Sequence, residues 1–493
     1  MKKLSFENQT IGKLMIMIGL FVLFPLIIPI WYRQDLIYRS YFLIPGMFSI
    51  ALGFLLSIFK KQSFNKPLSR KDGEGYSGLI VLFAWGWGII IGSMPFFLSG
   101  KLNLIGSIFE AVSGFTTTGL SVIDVSKTPN IFLFHRSFMQ YCGGLGFIMM
   151  MILFINNKNS MSLYSAEGHP DKIKPTIKKT AIAIFFVYVI SLIVGSIAYK
   201  IAGMSWFDSF NHAMCSLSTG GFSTKLNSIG EYNNIYIEII TIILMLIGTT
   251  NFASLLVLVR GNFKMFSKIS EIRFMFILLI IFIPIVAVSL SNGLGISLKQ
   301  GFRKSSVDII SALSTTGYST MSYTDWPELS IGIMILMMLI GGGVGSTAGG
   351  IKLQRAYLAC RFLKTNIKKK LNSKNHIISD SYVKAEGEVP IDKELYEDTM
   401  GFILTYLLLF VTGSLIIVAS ANCSLKEAMF DFSSAIGTVG LSIGITNPST
   451  DTITLIVEIF GMLLGRLEIF IVFIGVTFGF KKIKEFFAMS FNR

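Results

Sequence analysis

The sequence has few charged residues for its length. Only 14% of its 493 residues are charged, whereas 52% are hydrophobic. A soluble protein carries about a quarter charged residues, so the composition excludes a soluble globular protein and indicates a polytopic membrane protein. The net charge of +15 does not indicate nucleic-acid binding, because Lys and Arg residues that flank membrane spans account for it.

Cysteine and histidine are also scarce, with four residues of each. The cysteines, at positions 142, 215, 360 and 423, have no pair at metal-ligand spacing, and the histidines are scattered. The sequence therefore predicts free, buried thiols, and neither disulfides nor a histidine-based metal site.

Long apolar runs are abundant. Ten of them reach or approach the 20 or so residues needed to cross roughly 30 Å of hydrocarbon. The first follows Met-Lys-Lys but has no small-residue cleavage site, so it is predicted to be a retained span rather than a signal peptide. The ten predicted spans are 11–32, 41–59, 76–97, 131–155, 181–199, 235–259, 274–290, 331–362, 400–418 and 453–480.

A twelve-residue motif occurs four times, with the pattern [EDH]-x-x-[SC]-x-x-x-T-x-G-[LFY]-S. Such recurrence is typical of an internal repeat. Each copy follows a short apolar segment, such as 102–115, and lies between two predicted spans. One copy alone would fit a turn in which glycine ends a helix, but four copies in register favour a shared function. The motif glycines are Gly119, Gly221, Gly317 and Gly440.

Basic residues cluster in loops that alternate with the motif-bearing loops, at 60–71, 172–179, 260–273, 352–370 and 481–484. The positive-inside rule places these loops and both termini in the cytoplasm, and all four motifs on the outer side of the cell (inner) membrane. The longest polar stretch, 364–399, lacks apolar residues and is predicted to be a mobile cytoplasmic linker without a folded domain. The predicted units are 1–70 (two N-terminal spans), 71–160, 161–265, 266–370 and 371–493, the last beginning with the linker 371–399.

The motif suits cation binding. Backbone carbonyls from several repeats can replace an ion's hydration shell when they point at one axis, and glycine permits the backbone geometry this requires. The C-terminal end of a short helix is partly negative and favours a cation. The acid that begins the motif (Glu110, Asp308 or Asp431, with His212 in the second copy) is predicted to lie early in each short helix, or to anchor that helix to its neighbours.

On these motifs the chain resembles the Trk/Ktr/HKT superfamily of potassium transporters, and most closely its TrkH/TrkG branch, because two spans precede the first repeat. The matching stretches are 113–119, 142–146, 219–224, 315–320, 341–352 and 465–468. In that superfamily, glycine at all four motif positions goes with potassium preference and serine at the first goes with sodium. The resemblance implies a K+-binding selectivity filter made of Thr116, Thr117, Thr118, Gly119, Ser218, Thr219, Gly220, Gly221, Ser314, Thr315, Thr316, Gly317, Gly437, Thr438, Val439 and Gly440. Gly437 and Val439 depart from the threonines of the first copy.

The fold implied is an all-α integral membrane protein with ten transmembrane helices and four re-entrant pore helices, in four pseudo-symmetric span–pore-helix–span repeats. The resemblance implies channel-like K+ uptake, a homodimer, and a cytosolic TrkA/KtrA-type regulatory subunit that binds ATP or NAD. K+ is expected only as the transported ion, and no cofactor is expected in this chain.

The stretch 341–350 contains six glycines, too many for a stable helix at nearly 1 kcal/mol each relative to alanine. A broken helix is therefore predicted, with a close-packed small-residue helix interface as the alternative. A dinucleotide-binding loop is disfavoured because no βαβ unit surrounds the glycines. The resemblance implies an intramembrane gate formed by Gly341, Gly342, Gly343, Gly345, Ser346, Thr347, Gly349 and Gly350, together with Arg466.

Two charged residues lie within predicted spans, where charge is costly and marks a pathway or an ion pair. Arg466 is predicted either to pair with Glu458 or Glu468, or to place a positive charge below the filter that competes with K+ and lowers the transport rate. Glu238 is predicted to pair with a basic residue on a neighbouring helix.

The sequence has two alternative interpretations. A sodium or sodium/potassium transporter on the same scaffold remains open. A membrane-bound transferase is disfavoured, because the carboxylates inside the spans follow the repeat and the histidines do not cluster.

Overall fold

The computed structural model describes residues 5–58, 70–146, 149, 177–371 and 380–491. These residues are mainly helical, with short 3-10 segments at Phe24–Ile30, Arg33–Tyr38, Val125–Lys127 and Ser228–Tyr232. The remaining elements are α1 (Ser5–Leu23), α2 (Arg39–Ile58), α3 (Arg70–Leu98), α4 (Leu104–Phe115), α5 (Asn130–Leu145), α6 (Ile177–Ile201), α7 (Trp206–Leu217), α8 (Ile235–Thr249), α9 (Phe252–Val259), α10 (Phe263–Phe266), α11 (Ser270–Leu294), α12 (Leu298–Leu313), α13 (Glu328–Ile340), α14 (Leu353–Leu371), β1 (Ser381–Lys384), β2 (Gly387–Pro390), α15 (Lys393–Ala421), α16 (Leu425–Ile436), α17 (Thr452–Arg466) and α18 (Ile469–Phe491).

Six continuous stretches in the described ranges are long and apolar enough to cross a membrane. They coincide with both N-terminal predicted spans and with the first span of each repeat. The six are Gln9–Ile30, Arg33–Ile58, Gly75–Leu98, Lys178–Ile201, Ser270–Leu294 and Lys393–Ala421.

The second spans of the second and fourth repeats were predicted as continuous runs, 235–259 and 453–480, but each is broken into two helices. The chain bends by 115° between α8 and α9 and by 103° between α17 and α18. If each bent pair counts as one span, the described residues contain up to eight spans. The break predicted at 341–350 in the third repeat is present. In the third repeat, α13 and α14 are separated by the glycine-rich loop. Hydropathy alone does not detect such breaks, because the flanking residues remain apolar. The prediction for 147–155 in the first repeat, like the basic residues at 60–69 and 172–176, lies outside the described residues apart from Met149.

The four short helices α4, α7, α12 and α16 have the same kind of start. In each, the side-chain oxygen of the residue before the helix accepts a hydrogen bond from a backbone N–H of the first turn. Such N-caps stabilise a helix by about 1 kcal/mol and place the helix start at a defined residue. The caps are Asn103, Ser205, Ser297 and Ser424.

The repeats close into a ring. The second span of each repeat packs against the short helix of the next: α5 against α7, α8 against α12, α13 against α16, and α17 against α4. The last helix, α18, packs against α3 of the first repeat. The C-terminal halves of the short helices are therefore buried at the centre.

The polar linker contains ordered structure, contrary to prediction. Residues 381–390 form an antiparallel hairpin of β1 and β2. The hairpin packs on the membrane-spanning part, since Val383 N–H donates to Ser270 Oγ at 3.0 Å and Gln354 Nε2 donates to Tyr382 Oη at 2.9 Å. The stretch 381–390 is therefore held in place by these polar contacts and by the buried Tyr382 side chain, although two four-residue strands are not the separate folded domain whose absence was predicted.

Asp380 attaches the start of the hairpin to α14 and α15. Its carboxylate forms an ion pair with Arg361 and accepts hydrogen bonds from Thr365 Oγ1 and Tyr396 Oη, both at 3.0 Å. Although burial opposes ionisation, these hydrogen bonds and the guanidinium hold the pKa of Asp380 below its usual value. The prediction of free thiols is confirmed for all four cysteines, but only Cys142 and Cys215 are buried, since Cys360 is exposed and Cys423 is half-buried.

Candidate functional site

The backbone of each motif has the same unusual geometry. The threonine two residues before the motif glycine has a positive φ, as does the glycine itself, but the residue between them does not. Positive φ is uncommon for threonine and persists where the surrounding structure enforces it. The φ angles are 57° and 100° at Thr117 and Gly119, 52° and 73° at Thr219 and Gly221, 55° and 83° at Thr315 and Gly317, and 50° and 101° at Thr438 and Gly440.

The four motif glycines lie around one axis. A Cβ atom added to Gly119 would clash with the carbonyl oxygen of Gly220 in the second repeat. Each of the other three motif glycines is equally close to a carbonyl oxygen of the following repeat, and the fourth repeat contacts the first. Only glycine therefore fits at these four positions. The other clashing pairs are Gly221 with the carbonyl of Thr316, Gly317 with that of Val439, and Gly440 with that of Thr118.

The side chains around this ring differ between repeats. Thr116 Oγ1 and Thr118 Oγ1 are 2.7 Å apart in the first repeat, and Ser314 Oγ and Thr316 Oγ1 are 2.7 Å apart in the third. The second repeat has Ser218 and Gly220 at the matching positions, and the fourth has Gly437 and Val439. The hydroxyl pairs therefore occur only in the first and third repeats, and the ring is closer to twofold than fourfold symmetry.

One prediction placed the acids that begin the motifs early in their helices, and this is wrong. They lie in the second half and bind the chain that follows the motif glycine, because that chain folds back along the helix. In each case the acid accepts a hydrogen bond from the backbone N–H twelve residues later: Val122 to Glu110 at 3.2 Å, Thr320 to Asp308 at 3.2 Å, and Ile443 to Asp431 at 2.8 Å.

His212 performs the equivalent task in the second repeat. Its Nε2 is 2.9 Å from Ser223 Oγ, two residues after Gly221. Ser121 and Ser442 occupy the same position in the first and fourth repeats, and their hydroxyls donate to Glu110 and Asp431. The predicted anchoring to neighbouring helices holds in part: these residues tie each short helix to the chain that follows its own motif, and Glu110 also binds Arg136 on α5.

Arg136 and Gln140 on α5 are parts of the site that the sequence analysis missed. Arg136 is 2% exposed, and its Nε donates to Glu110 Oε1 at 2.5 Å. Its guanidinium lies 4.0 Å from the centre of the Phe222 ring, so it joins the first repeat to the second. Gln140 Nε2 donates to the carbonyl of Gly220, and Gln140 Oε1 accepts from Phe222 N–H at 3.1 Å. An Arg within the predicted span 131–155 was the available signal.

The glycine-rich loop lies directly against the ring. Thr347 Oγ1 is 3.0 Å from Thr219 Oγ1, and Gly349 N–H donates to Thr315 Oγ1 at 2.9 Å. A Cβ atom on Gly349 would clash with Thr438 Oγ1, so the loop touches three of the four repeats. The segment is not helical, which excludes the alternative of a small-residue helix interface.

The other end of this loop is held by the second repeat. Gly343 N–H donates to the Thr249 carbonyl at 2.9 Å, Asn251 Nδ2 donates to the Val344 carbonyl, and Ser346 Oγ donates to the Gly343 carbonyl at 2.7 Å. The remaining predicted gate residues, Gly341, Gly342, Gly345 and Gly350, belong to the same loop.

Arg466 lies beside this loop. Its guanidinium donates to the carbonyl of Thr347 at 2.6 Å and to the carbonyl of Gly143 at 2.6 Å. The two acids considered as its partners are bound by other groups: Arg355 pairs with Glu468 at 2.7 Å, and Thr446 Oγ1 lies 2.8 Å from Glu458.

Glu238 forms an ion pair, as predicted. Arg303 on α12 donates to both of its carboxylate oxygens, at 2.7 and 2.9 Å. This pair joins α8 of the second repeat to the short helix of the third.

Comparison with known proteins identifies the family of this chain. A sequence model of the TrkH family, described as cation transport protein, matches residues 40–478. The chain belongs to the TrkH family. It is therefore a multi-pass membrane protein of a transporter family, rather than one of an enzyme family.

Two relatives of the TrkH family align over nearly the whole chain. An uncharacterized cation transporter from Methanocaldococcus jannaschii is 28% identical over 463 residues, which cover 93% of this chain and 92% of the relative. The Trk system potassium uptake protein TrkG from Escherichia coli is 29% identical over 477 residues, covering 94% and 96%.

The fold matches that of a solved TrkH. The crystal structure of the potassium transporter TrkH from Vibrio parahaemolyticus superposes with a TM-score of 0.83 at 24% identity, covering 96% of this chain and 98% of that chain. This likeness establishes a TrkH fold for the chain.

Proposed function

We propose that this chain takes up K+ across the cell membrane through a channel-like pore along the axis of the four motif glycines. The observation that carries the proposal is the closed ring in which each glycine abuts a carbonyl of the next repeat. Carbonyl rings of this kind replace the hydration shell of a cation. The name of the E. coli relative, a potassium uptake protein, favours K+ over Na+ as the cation.

The filter residues are then the backbone and hydroxyl groups of 116–119, 218–221, 314–317 and 437–440. A membrane potential supplies about 2.3 kcal/mol per charge per 100 mV, which is sufficient to draw K+ inward without ATP hydrolysis by this chain. In this proposal the motifs face outward, both termini are cytoplasmic, and the chain works as a homodimer with a cytosolic TrkA/KtrA-type subunit that binds ATP or NAD.

The test is growth of a potassium-uptake-deficient bacterium on limiting K+. We expect the wild-type chain to restore growth and Gly317→Ala to abolish it, because the added Cβ clashes with the Val439 carbonyl. Gly295→Ala is the matched control, since Gly295 also has a positive φ (65°) but nothing within 4 Å of an added Cβ. No growth with a well-expressed wild-type chain, or uptake that Na+ carries better than K+, would contradict the proposal.

The loop 341–350 and Arg466 form the gate in this proposal. The loop touches the threonines of three repeats from one side, and Arg466 places a positive charge next to it. A cation leaving the filter on that side meets both.

We expect Arg466→Ala to raise the rate of K+ uptake several-fold, because the repulsive charge and two hydrogen bonds that hold the loop are lost. The measurement is rubidium tracer uptake into cells at equal protein level. Arg273→Ala serves as the control, since the Arg273 guanidinium donates to an exposed carbonyl of Ser267 at 2.8 Å. A rate equal to or below wild type in Arg466→Ala would show that Arg466 does not restrict flow.

A further inference from the structure

Two carboxyl groups lie buried together behind the fourth motif. Asp431 on α16 and Glu458 on α17 are both 0% exposed. Thr446 Oγ1 lies between them, 3.3 Å from Asp431 Oδ2 and 2.8 Å from Glu458 Oε1. The cluster is next to the chain that follows Gly440, because Asp431 also binds Ser442 and Ile443.

Glu458 occupies the position in the fourth repeat that Arg136 occupies in the first. The second spans of these two repeats each contain a glycine, Gly143 or Gly465, that lies against the end of the short helix. A Cβ added to either glycine would clash with the carbonyl oxygen of the residue four positions before the motif glycine. Arg136 and Glu458 each lie seven residues before that glycine. The two side chains are therefore related by the internal symmetry of the fold.

The residue at this position is basic in the first repeat and acidic in the fourth. In the first, Arg136 neutralises Glu110 through a buried ion pair. In the fourth, an acid faces an acid. Ionising both Asp431 and Glu458 would leave two negative charges in a buried site, which is very costly without a positive partner.

The hydrogen bonds show which acid is the anion. Asp431 accepts from Ser442 Oγ at 2.6 Å, from Ile443 N–H at 2.8 Å and from Thr446 N–H at 3.1 Å. Its oxygens are well supplied with donors, as an ionised carboxylate requires.

Glu458 has fewer hydrogen-bond donors than Asp431. Its Oε2 has no hydrogen-bond partner among the described residues, although it is fully buried. Its Oε1 contacts the Thr446 hydroxyl, which has a single proton to donate. The Thr446 hydroxyl donates to Glu458 Oε1 at 2.8 Å and lies farther, 3.3 Å, from Asp431 Oδ2. Glu458 therefore has one hydrogen-bond donor for its two oxygens, too few for a buried carboxylate ion.

Among the residues that the structure describes around Glu458, none supplies a neutralising positive charge. The charged groups that act on Glu458 are Asp431 and Asp451, both acidic. Among the helices packed against α17, α4 contributes Glu110, which Arg136 already neutralises. The first turn of α16 contributes Lys426, which pairs with Glu328, and Glu427, which caps that helix. The charged residues of α15 lie in its N-terminal turns, those of α18 lie in its C-terminal half, and Arg466 is two turns further along α17.

We propose that Glu458 binds a proton at neutral pH, linked to Asp431 through Thr446, and that this proton takes the place of the Arg136 charge in the fourth repeat. When the proton leaves at alkaline pH, a second negative charge appears behind the chain that follows Gly440. This functional consequence rests on the proposed K+ filter: the added charge strengthens cation binding at the fourth quarter of the ring.

The proton is tested directly by infrared difference spectroscopy of the purified chain in lipid, between neutral and alkaline pH. We expect a carboxylic-acid C=O band at neutral pH that shifts in D2O, disappears at alkaline pH, and is absent in Glu458→Gln. Glutamine has nearly the same shape and mimics the protonated acid, so this variant is expected to fold. Glu238→Gln is the matched control, because Glu238 is equally buried but paired with Arg303, and it should keep the band.

Uptake gives a second measurement. In the wild type, we expect the K+ concentration for half-maximal uptake to fall several-fold from neutral to alkaline pH, and in Glu458→Gln to stay constant.

An acid band that persists in Glu458→Gln would overturn the proton site even if uptake were normal. No acid band in the wild type, with a thermal stabilisation by Na+ that Glu458→Gln removes, would assign the cluster to a metal cation and also overturn it. A Glu458-dependent band in a chain that transports no K+ would instead contradict the proposed function and leave the proton site standing.

Discussion

Gly119→Ser is expected to lower the preference for K+ over Na+ by about tenfold, which corresponds to about 1.4 kcal/mol. A Cβ at this position collides with the Gly220 carbonyl oxygen. That carbonyl has to turn away from the axis, and a ring that has lost one oxygen ligand no longer compensates fully for the hydration shell of K+. The measurement is the ratio of K+ to Na+ uptake at equal external concentration.

Gly100→Ser is the control for this experiment. Gly100 has a positive φ of 68°, like Gly119, but nothing lies within 4 Å of an added Cβ. Both variants therefore carry the cost of a serine in the left-handed region, and only Gly119→Ser disturbs the ring. The same uptake ratio in the two variants would contradict the filter assignment.

Arg136→Met is expected to destabilise the folded chain by about 3–5 kcal/mol, because it removes the positive partner of the buried Glu110 carboxyl group. The measurement is the thermal unfolding midpoint in detergent. Adding Glu110→Gln to the variant should recover much of the loss, since glutamine still accepts the hydrogen bond from Val122 and carries no charge.

Lys426→Met tests whether this loss is specific to the buried pair. Lys426 pairs with Glu328, whose side chain is 79% exposed, and such a pair contributes about 0–1 kcal/mol. Equal losses of stability in Arg136→Met and Lys426→Met would mean that the Arg136–Glu110 pair does not support the ring.

The first spans of the repeats could be predicted because each is a continuous apolar helix with polar ends. The glycines predicted the break in the second span of the third repeat, but the breaks in the second and fourth repeats could not be predicted, because they depend on tertiary contacts. Asn251 caps α9, but its side chain also binds the loop of another repeat through the Val344 carbonyl. The hairpin 381–390 escaped prediction for a related reason, since polar contacts to α11 and α14 rather than hydrophobic periodicity hold it in place.

The candidate site was predictable where it repeats. The spacing of the motif identified the four glycines, and the structure places them around one axis. What does not repeat was missed. Arg136 and Glu458 hold equivalent positions, one basic and the other acidic. The sequence analysis treated Glu458 only as a partner for Arg466, because the sequence alone does not show that Glu458 faces Asp431.

The closure of the ring has a consequence for biosynthesis. Gly440 abuts the Thr118 carbonyl, and Arg466 binds the carbonyl of Gly143, 323 residues earlier in the chain. During synthesis, the first three repeats therefore enter the membrane before the fourth repeat, which closes the ring, has been made. Until the fourth repeat inserts, α4 lacks the helix that covers it, and a nascent chain that stalls at this stage exposes an open seam for quality-control factors to recognise.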